Sequence, residues 1–345
     1  MEAVLNPRAR TYLTGRRAML TLGTLGAVLV CAAIIALALG SEFIAPREIV
    51  AAVWAKLTGA ASPLAREQEV IIFSLRLPRI LLALGVGAAL ALAGAAFQAL
   101  LRNPLADPYV LGVSGGAALG SIIALMFFSQ FSFVRPLLGF AGAGVTTLVI
   151  YWFGRREDDP ARLVLAGVIT ATFLSSIIAL LTSIAENVKL RNITYWLLGD
   201  LSGGSAEGVV FIITASLIGA FVLVTQARAL NLMMVGERDA FALGVETARV
   251  RWLVFITASL LTGAAVSAGG AIGYVGLIVP HLMRLATGAD NRLVIPASAL
   301  AGAVLVLFAD TLARMVIAPR ELPTGAITAL IGAPVFVYLL VRRRQ

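Results

Sequence analysis

Few side chains in this sequence could do chemistry. One histidine, His281, and one cysteine, Cys31, occur in 345 residues. A metal centre needs several imidazole or thiolate ligands converging on one point, so this inventory predicts no metal site. A lone thiol inside an apolar run predicts neither a disulfide nor redox chemistry. Gly112-Val113-Ser114-Gly115-Gly116 has the spacing of a hydrolase nucleophile elbow, but that motif requires a strand-to-helix turn over a sheet, with an acid and a histidine in reach. Its small, apolar neighbours suit close helix packing instead. His281 follows Pro280, whose missing N–H frees a carbonyl one turn earlier, so a neutral imidazole there would serve a local backbone group or a partner. Asp310 lies well inside an apolar run. An acid in lipid is either a proton relay or half of an ion pair, and Arg314, four residues further along one helix face, favours the pair. No catalytic residue emerges, and the chain reads as a non-enzyme.

The elements that must position these residues follow from composition. Sixty per cent of the residues are hydrophobic, 13% are charged, and the mean hydropathy is +0.96. A soluble fold could not hide that much apolar surface, and lipid leaves backbone groups unsatisfied outside helices, so the expectation is an all-α polytopic membrane protein. Apolar stretches long enough to cross lie at Met19 to Gly40, Ile80 to Leu101, Val110 to Phe128, Val134 to Phe153, Leu163 to Ala185, Gly208 to Ala227, Trp252 to Gly270, Ala271 to Leu285, Leu293 to Ala313 and Pro323 to Val341. About ten transmembrane helices are therefore expected in a single domain, residues 1–345. The turn Ser267-Ala268-Gly269-Gly270 divides the seventh span from the short eighth. Arg16 and Arg17 sit in a stretch that faintly resembles a twin-arginine signal, yet the run behind them suits a span. With both termini in the cytoplasm, the larger share of the 27 Lys and Arg residues falls on the inner side. Residues 1–18 then form a cytoplasmic N-terminal segment, and the net charge of +9 records retained arginines, not affinity for nucleic acid. No nucleotide-binding motif is present, so any energy source must be supplied by another protein.

Three connections stand out. Between the second and third spans, Arg102-Asn103-Pro104 stops a helix and turns the chain at the cytoplasmic face, where Asn103 and Asp107 can satisfy freed backbone groups. Val188 to Ser205 contains an apolar portion too short to cross, which predicts a re-entrant or interfacial helix that either lines the mouth of a pathway or anchors Tyr195 and Trp196 at the headgroups. Residues 229–250 read as two short amphipathic helices joined at Gly236, suited to a groove on a partner or to lying flat on lipid. Gly94 and Gly276 each precede an arginine by eight positions, too slight a similarity to establish a repeat.

Several stretches, taken in order, resemble the FecCD family of ABC importer permeases, which carry iron-siderophore, haem and cobalamin complexes across the bacterial inner membrane. They are LRLPR (Leu75 to Arg79), AGAAFQALLRNPLADP (Ala93 to Pro108, with Gln98, Asn103 and Pro104), LGVSGGA (Leu111 to Ala117, with Ser114 and Gly115) and YWLLGDLSGG (Tyr195 to Gly204, with Trp196). VGERDAFALG (Val235 to Gly244), GYVGLIVPHLMR (Gly273 to Arg284), ADTLAR (Ala309 to Arg314) and ELPTG (Glu321 to Gly325, with Pro323 and Gly325) complete the set. The resemblance implies a type II importer fold and a homodimer with a central pathway, embedded in membrane lipid. It also implies two ATPase subunits, which would bind the ATP and Mg that this chain does not, and a periplasmic substrate-binding protein.

On that likeness, Leu232, Val235, Gly236, Glu237, Arg238, Asp239, Ala240, Leu243 and Gly244 are the coupling helices, and Arg76, Arg79 and Arg314 are outward-facing partners for acidic residues of the binding protein. Snorkelling to headgroups, or pairing with Asp310, is the competing use of those arginines. His281 becomes part of a structural V-P-H signature. Ala206 stands where the family often has tryptophan. The implied cargo is an iron-siderophore, haem or related metal chelate, with cobalamin as the alternative and an ion-coupled secondary transporter as a remote one.

Overall fold

A computed structural model describes residues 13–40, 42–109, 112–131, 133–154, 160–318 and 320–342. The N-terminal arginines Arg8 and Arg10, the Arg155–Arg156 pair, the first residues of the expected third span and the last residues of the chain lie outside them. The helices in order are α1 (Gly15–Ala38), α2 (Pro46–Thr58), α3 (Arg66–Val70), a π-helical turn (Ile71–Arg76), α4 (Leu77–Leu100), α5 (Val113–Phe127), α6 (Val134–Gly154), α7 (Pro160–Ser183) and α8 (Asn187–Leu197). They continue with α9 (Ala206–Thr225), α10 (Ala227–Val235), α11 (Glu237–Ala242), α12 (Thr247–Gly269), α13 (Val275–Thr287), α14 (Asn291–Met315) and α15 (Thr324–Arg342). Among the described residues, seven helices are long and apolar enough to cross a bilayer, and three shorter apolar helices, α5, α13 and α15, stand at the remaining expected spans.

Helix α4 is the axis of the bundle, packed by α14, α12, α9 and α13. Lipid tails are as apolar as leucine, so what holds these helices together is close packing, and small residues permit it. Gly87 of α4 meets Gly302 of α14 backbone to backbone, and Gly94 meets Gly276 of α13. A Cβ at any of these four positions would collide with the facing helix. Gly116 and Gly120 of α5 pack on α6 in the same way, while Ser216 of α9 donates to the Gly85 carbonyl of α4 at 3.0 Å. Ser205 caps α9 and Asp290 caps α14, each accepting from a first-turn N–H.

Several boundaries differ from the sequence expectation. Between the first and second spans Pro46 starts α2, and the second span begins before Ile80, as a continuous helical run from Arg66. Helix α13 starts at Val275, not Ala271, because Gly270 adopts φ +73° beside the Trp196 carbonyl. The last helix starts at Thr324, with Pro323 just before it. The chain after Pro104 does not simply turn at the helix end. It runs back into the bundle, where Pro108 packs against Gly276 and the Tyr109 hydroxyl accepts from Ile272 N at 2.8 Å. Such irregular backbone survives inside a helical bundle because protein, not lipid, surrounds it.

Candidate functional site

Helix α4, about 36 Å long at 1.5 Å per residue, separates two polar regions. Arg79 marks one end and Arg102 the other.

At the Arg79 end, Asp310 is fully buried at 0% exposure. Arg79 Nε lies 3.0 and 3.1 Å from its two carboxylate oxygens, and Thr324 donates to Oδ1 at 3.0 Å. Arg314 stands against Oδ2 as an ion pair at 3.3 Å. Arg79 also holds Glu321 at 2.6 Å, while Arg314 donates to the Ala36 carbonyl at 3.3 Å. Arg76 caps the end of α1 by donating to the Leu37 and Glu42 carbonyls, and Gly40 leaves the room its guanidinium fills. Charge buried this way has to be paired and hydrogen-bonded, which fastens α1, α4, α14 and the start of α15 together. The Asp310–Arg314 pair is present as expected. Arg76 is 5% and Arg79 7% exposed, and all three arginines are engaged within the chain, with Arg79 and Arg314 in the pairing with Asp310 that was their competing use.

Beside this cluster opens a cleft of about 990 Å³, lined by Arg135, Arg191, Tyr195, Trp196, Asp200 and Arg320 among others. Helix α8 forms one wall. Its Arg191 lies over the Tyr195 ring, but Trp196 is buried, so it packs into the bundle instead of anchoring at a surface. Gly199 (φ +85°), the Ala271 carbonyl and Gly325 meet backbone to backbone behind it, which is why neither glycine could carry a side chain.

At the Arg102 end, α10 and α11 meet at Gly236, in extended backbone, and form a hairpin-like protrusion. Gly244 (φ +85°) ends α11, and Val245 N reaches back to the Ala240 carbonyl at 3.0 Å, a left-handed cap that favours glycine. Leu230, Met233 and Ala240 face inward, so Ala240 is a packing residue and not a surface contact. Val235, Phe241 and Leu243 are 80%, 72% and 69% exposed, and Arg238 and Asp239 lie on the surface beside them. Glu237 ties the turn to Arg251 of α12 and stands 3.9 Å from Arg102. Leu232 is half-buried.

The remaining candidates are structural. Gln98 is buried and donates to the Leu277 carbonyl at 2.9 Å, and Asn103 closes a turn by accepting from Leu105 N at 2.9 Å. Asp107 does the same for Tyr109 N at 3.0 Å. Pro280 and His281 are buried within α13. Ser114 and Gly115 sit in the first turn of α5, after Gly112 at φ +77°, and the described residues contain no strand to build an elbow. Among the described residues no cluster of His, Cys, Asp and Glu could hold a metal. What sequence reasoning missed is a second layer behind the protrusion, Asn231, Arg284, Asp290 and Asn291, whose contacts span up to 189 positions. The Asp290 carboxyl is held down to about 2, first by its hydrogen bonds to Arg292.

Comparison with known proteins agrees with this architecture. The chain is 43% identical over 282 residues to the uncharacterized ABC transporter permease protein YvrB of Bacillus subtilis, covering 80% of each. It is 40% identical to the vitamin B12 import system permease BtuC of Vibrio cholerae, covering 81% of this chain and 85% of that one. It is likewise 40% identical to the hemin transport system permease HmuU of Yersinia pestis, with 80% and 84% covered. A solved structure of a metal-chelate type ABC transporter in an inward-facing conformation superposes with a TM-score of 0.82 at 34% identity, covering 93% of this chain and 98% of that one. Residues 28–342 match the description of the FecCD transport family, and the chain belongs to that family of ABC importer permeases.

Proposed function

We propose that this chain is the membrane subunit of an ATP-driven importer that brings a metal chelate into the cell. Cobalamin and haem, the cargoes in the names of two of the relatives, are the chemical guides. The observation that carries this reading is the α10–α11 protrusion. Its exposed Val235, Phe241 and Leu243 stand at the end of the bundle beyond Arg102, on a turn held rigid by Glu237 and Arg251. Apolar side chains on a rigid, charged-rimmed knob suit a groove on a soluble partner. The partner is a separate ATPase subunit, which binds ATP and Mg and does the hydrolysis. Two copies of the chain form the pathway over two ATPase subunits, in the bacterial inner membrane, with both termini cytoplasmic. A periplasmic binding protein delivers cargo to the end bearing the Arg135–Arg320 cleft, and the whole chain works as one permease domain.

Replacing Val235 and Phe241 together by Asp tests the reading. The variant is expected to insert and fold as the parent does but to lose copurification with its ATPase subunit by at least tenfold. Unchanged copurification would contradict the proposal. An ion-coupled transporter is less well supported, because Asp310, the acid such a mechanism would use, is fastened by Arg79, Arg314 and Thr324.

A further inference from the structure

Behind the protrusion, buried and half-buried polar groups form one connected path. Asn291, the first residue of α14, is fully buried. Its backbone N–H and its side-chain amide both donate to Asn231 Oδ1 of α10 at 2.9 Å, and the amide also reaches Met234 Sδ at 3.2 Å. Asn231 in turn donates to Asp290 Oδ1 at 2.7 Å. On its other side, Asn291 Oδ1 accepts from Arg284 of α13 at 3.0 Å, and the same guanidinium donates to the Ala95 carbonyl of α4 at 3.1 Å. Flipping the Asn291 amide would set donor against donor at Arg284 and acceptor against acceptor at Asn231, so the network fixes its orientation. The path therefore runs from α10, through the start of α14 and the end of α13, into α4.

Its mechanical setting is specific. Higher up, α13 meets α4 through the backbones of Gly94 and Gly276, and Gln98 of α4 donates to the Leu277 carbonyl of α13 at 2.9 Å. Directional hydrogen bonds resist sliding, so the Arg284–Ala95 and Gln98–Leu277 bonds join α13 to α4 as the asparagines join it to α10. Pulling on α10 would thus load the lower end of α13 through Asn231, Asn291 and Arg284.

We propose that Asn231 and Asn291 are positioning residues that convey movement of the α10–α11 protrusion to α13, a reading that rests on the protrusion being the ATPase docking element. The test is hydrogen exchange of the full complex of permease and ATPase subunits, without nucleotide and with Mg-ATP and vanadate. Protection of α10–α11 peptides by the ATPase reports docking separately. In the parent, exchange across Val275–Thr287 is expected to change severalfold with nucleotide. In Asn231→Ala, which removes the α10 half of the path at a half-buried position, α10–α11 should stay protected while the nucleotide-driven change in α13 falls by at least half. Asn291→Ala should do the same, and the double variant should be no worse than either single one. Mere loosening would raise exchange equally in both nucleotide states. A full parental response in Asn231→Ala, or an α13 that ignores nucleotide in the parent, would overturn the inference. Loss of α10–α11 protection in the parent would instead overturn the docking reading.

Discussion

Asp310 shows how much one buried charge can fasten. Its carboxylate is shared by Arg79, Arg314 and Thr324, so Asp310→Asn takes the paired carboxylate from Arg314 and leaves Arg79 with Glu321 alone. Breaking such a pair from one side costs about 3–5 kcal/mol. Asp310→Asn should therefore lower the detergent melting temperature and the yield of inserted protein sharply. Glu321→Gln, at the more exposed end of the same network, should change stability by about 1 kcal/mol or less. Equal effects of the two would show that the network does not concentrate on Asp310. The i to i+4 spacing made the Asp310–Arg314 pair legible. The Arg79–Asp310 contact bridges 231 positions, and nothing in local spacing announces it. Resemblance assigned Arg79 to the binding protein, and pairing with Asp310, its competing use, is the contact observed.

At the scale of the helix, glycine placement decides which surfaces can meet. Gly94→Ala puts a methyl group into the backbone of α13 at Gly276, whereas Gly144→Ala on α6 meets nothing within 4 Å. Overpacking of that kind costs about 1–3 kcal/mol, and a helical Gly→Ala change in open space gains about 0.5–1 kcal/mol. Thermal unfolding in detergent should consequently fall for the first and hold or rise for the second; a parental melting temperature for Gly94→Ala would sink the close-contact account. The ten apolar stretches and the two short helices at Gly236 were legible because hydropathy and a glycine punctuate them. Helix α2, the early start of α4 and the return of Pro108 into the bundle were not, since protein contacts set them and apolar length does not. Gly94 and Gly276 could be noticed as a matched pair in the sequence. That they touch follows only from the packing of α4 on α13.

Across the whole molecule, a clamp of buried charge at one end and a protruding knob with its asparagine path at the other are joined by α4. On the function proposed above, cargo moves when a separate ATPase subunit grips the knob. Uptake into proteoliposomes measures it most directly, with haemin and cyanocobalamin as cargo probes and the binding protein and ATPase added or withheld. Accumulation is expected only with the ATPase subunit and Mg-ATP present, and is abolished by the Val235 and Phe241 substitutions to Asp. Accumulation by this chain alone, driven by a proton or sodium gradient, would contradict it.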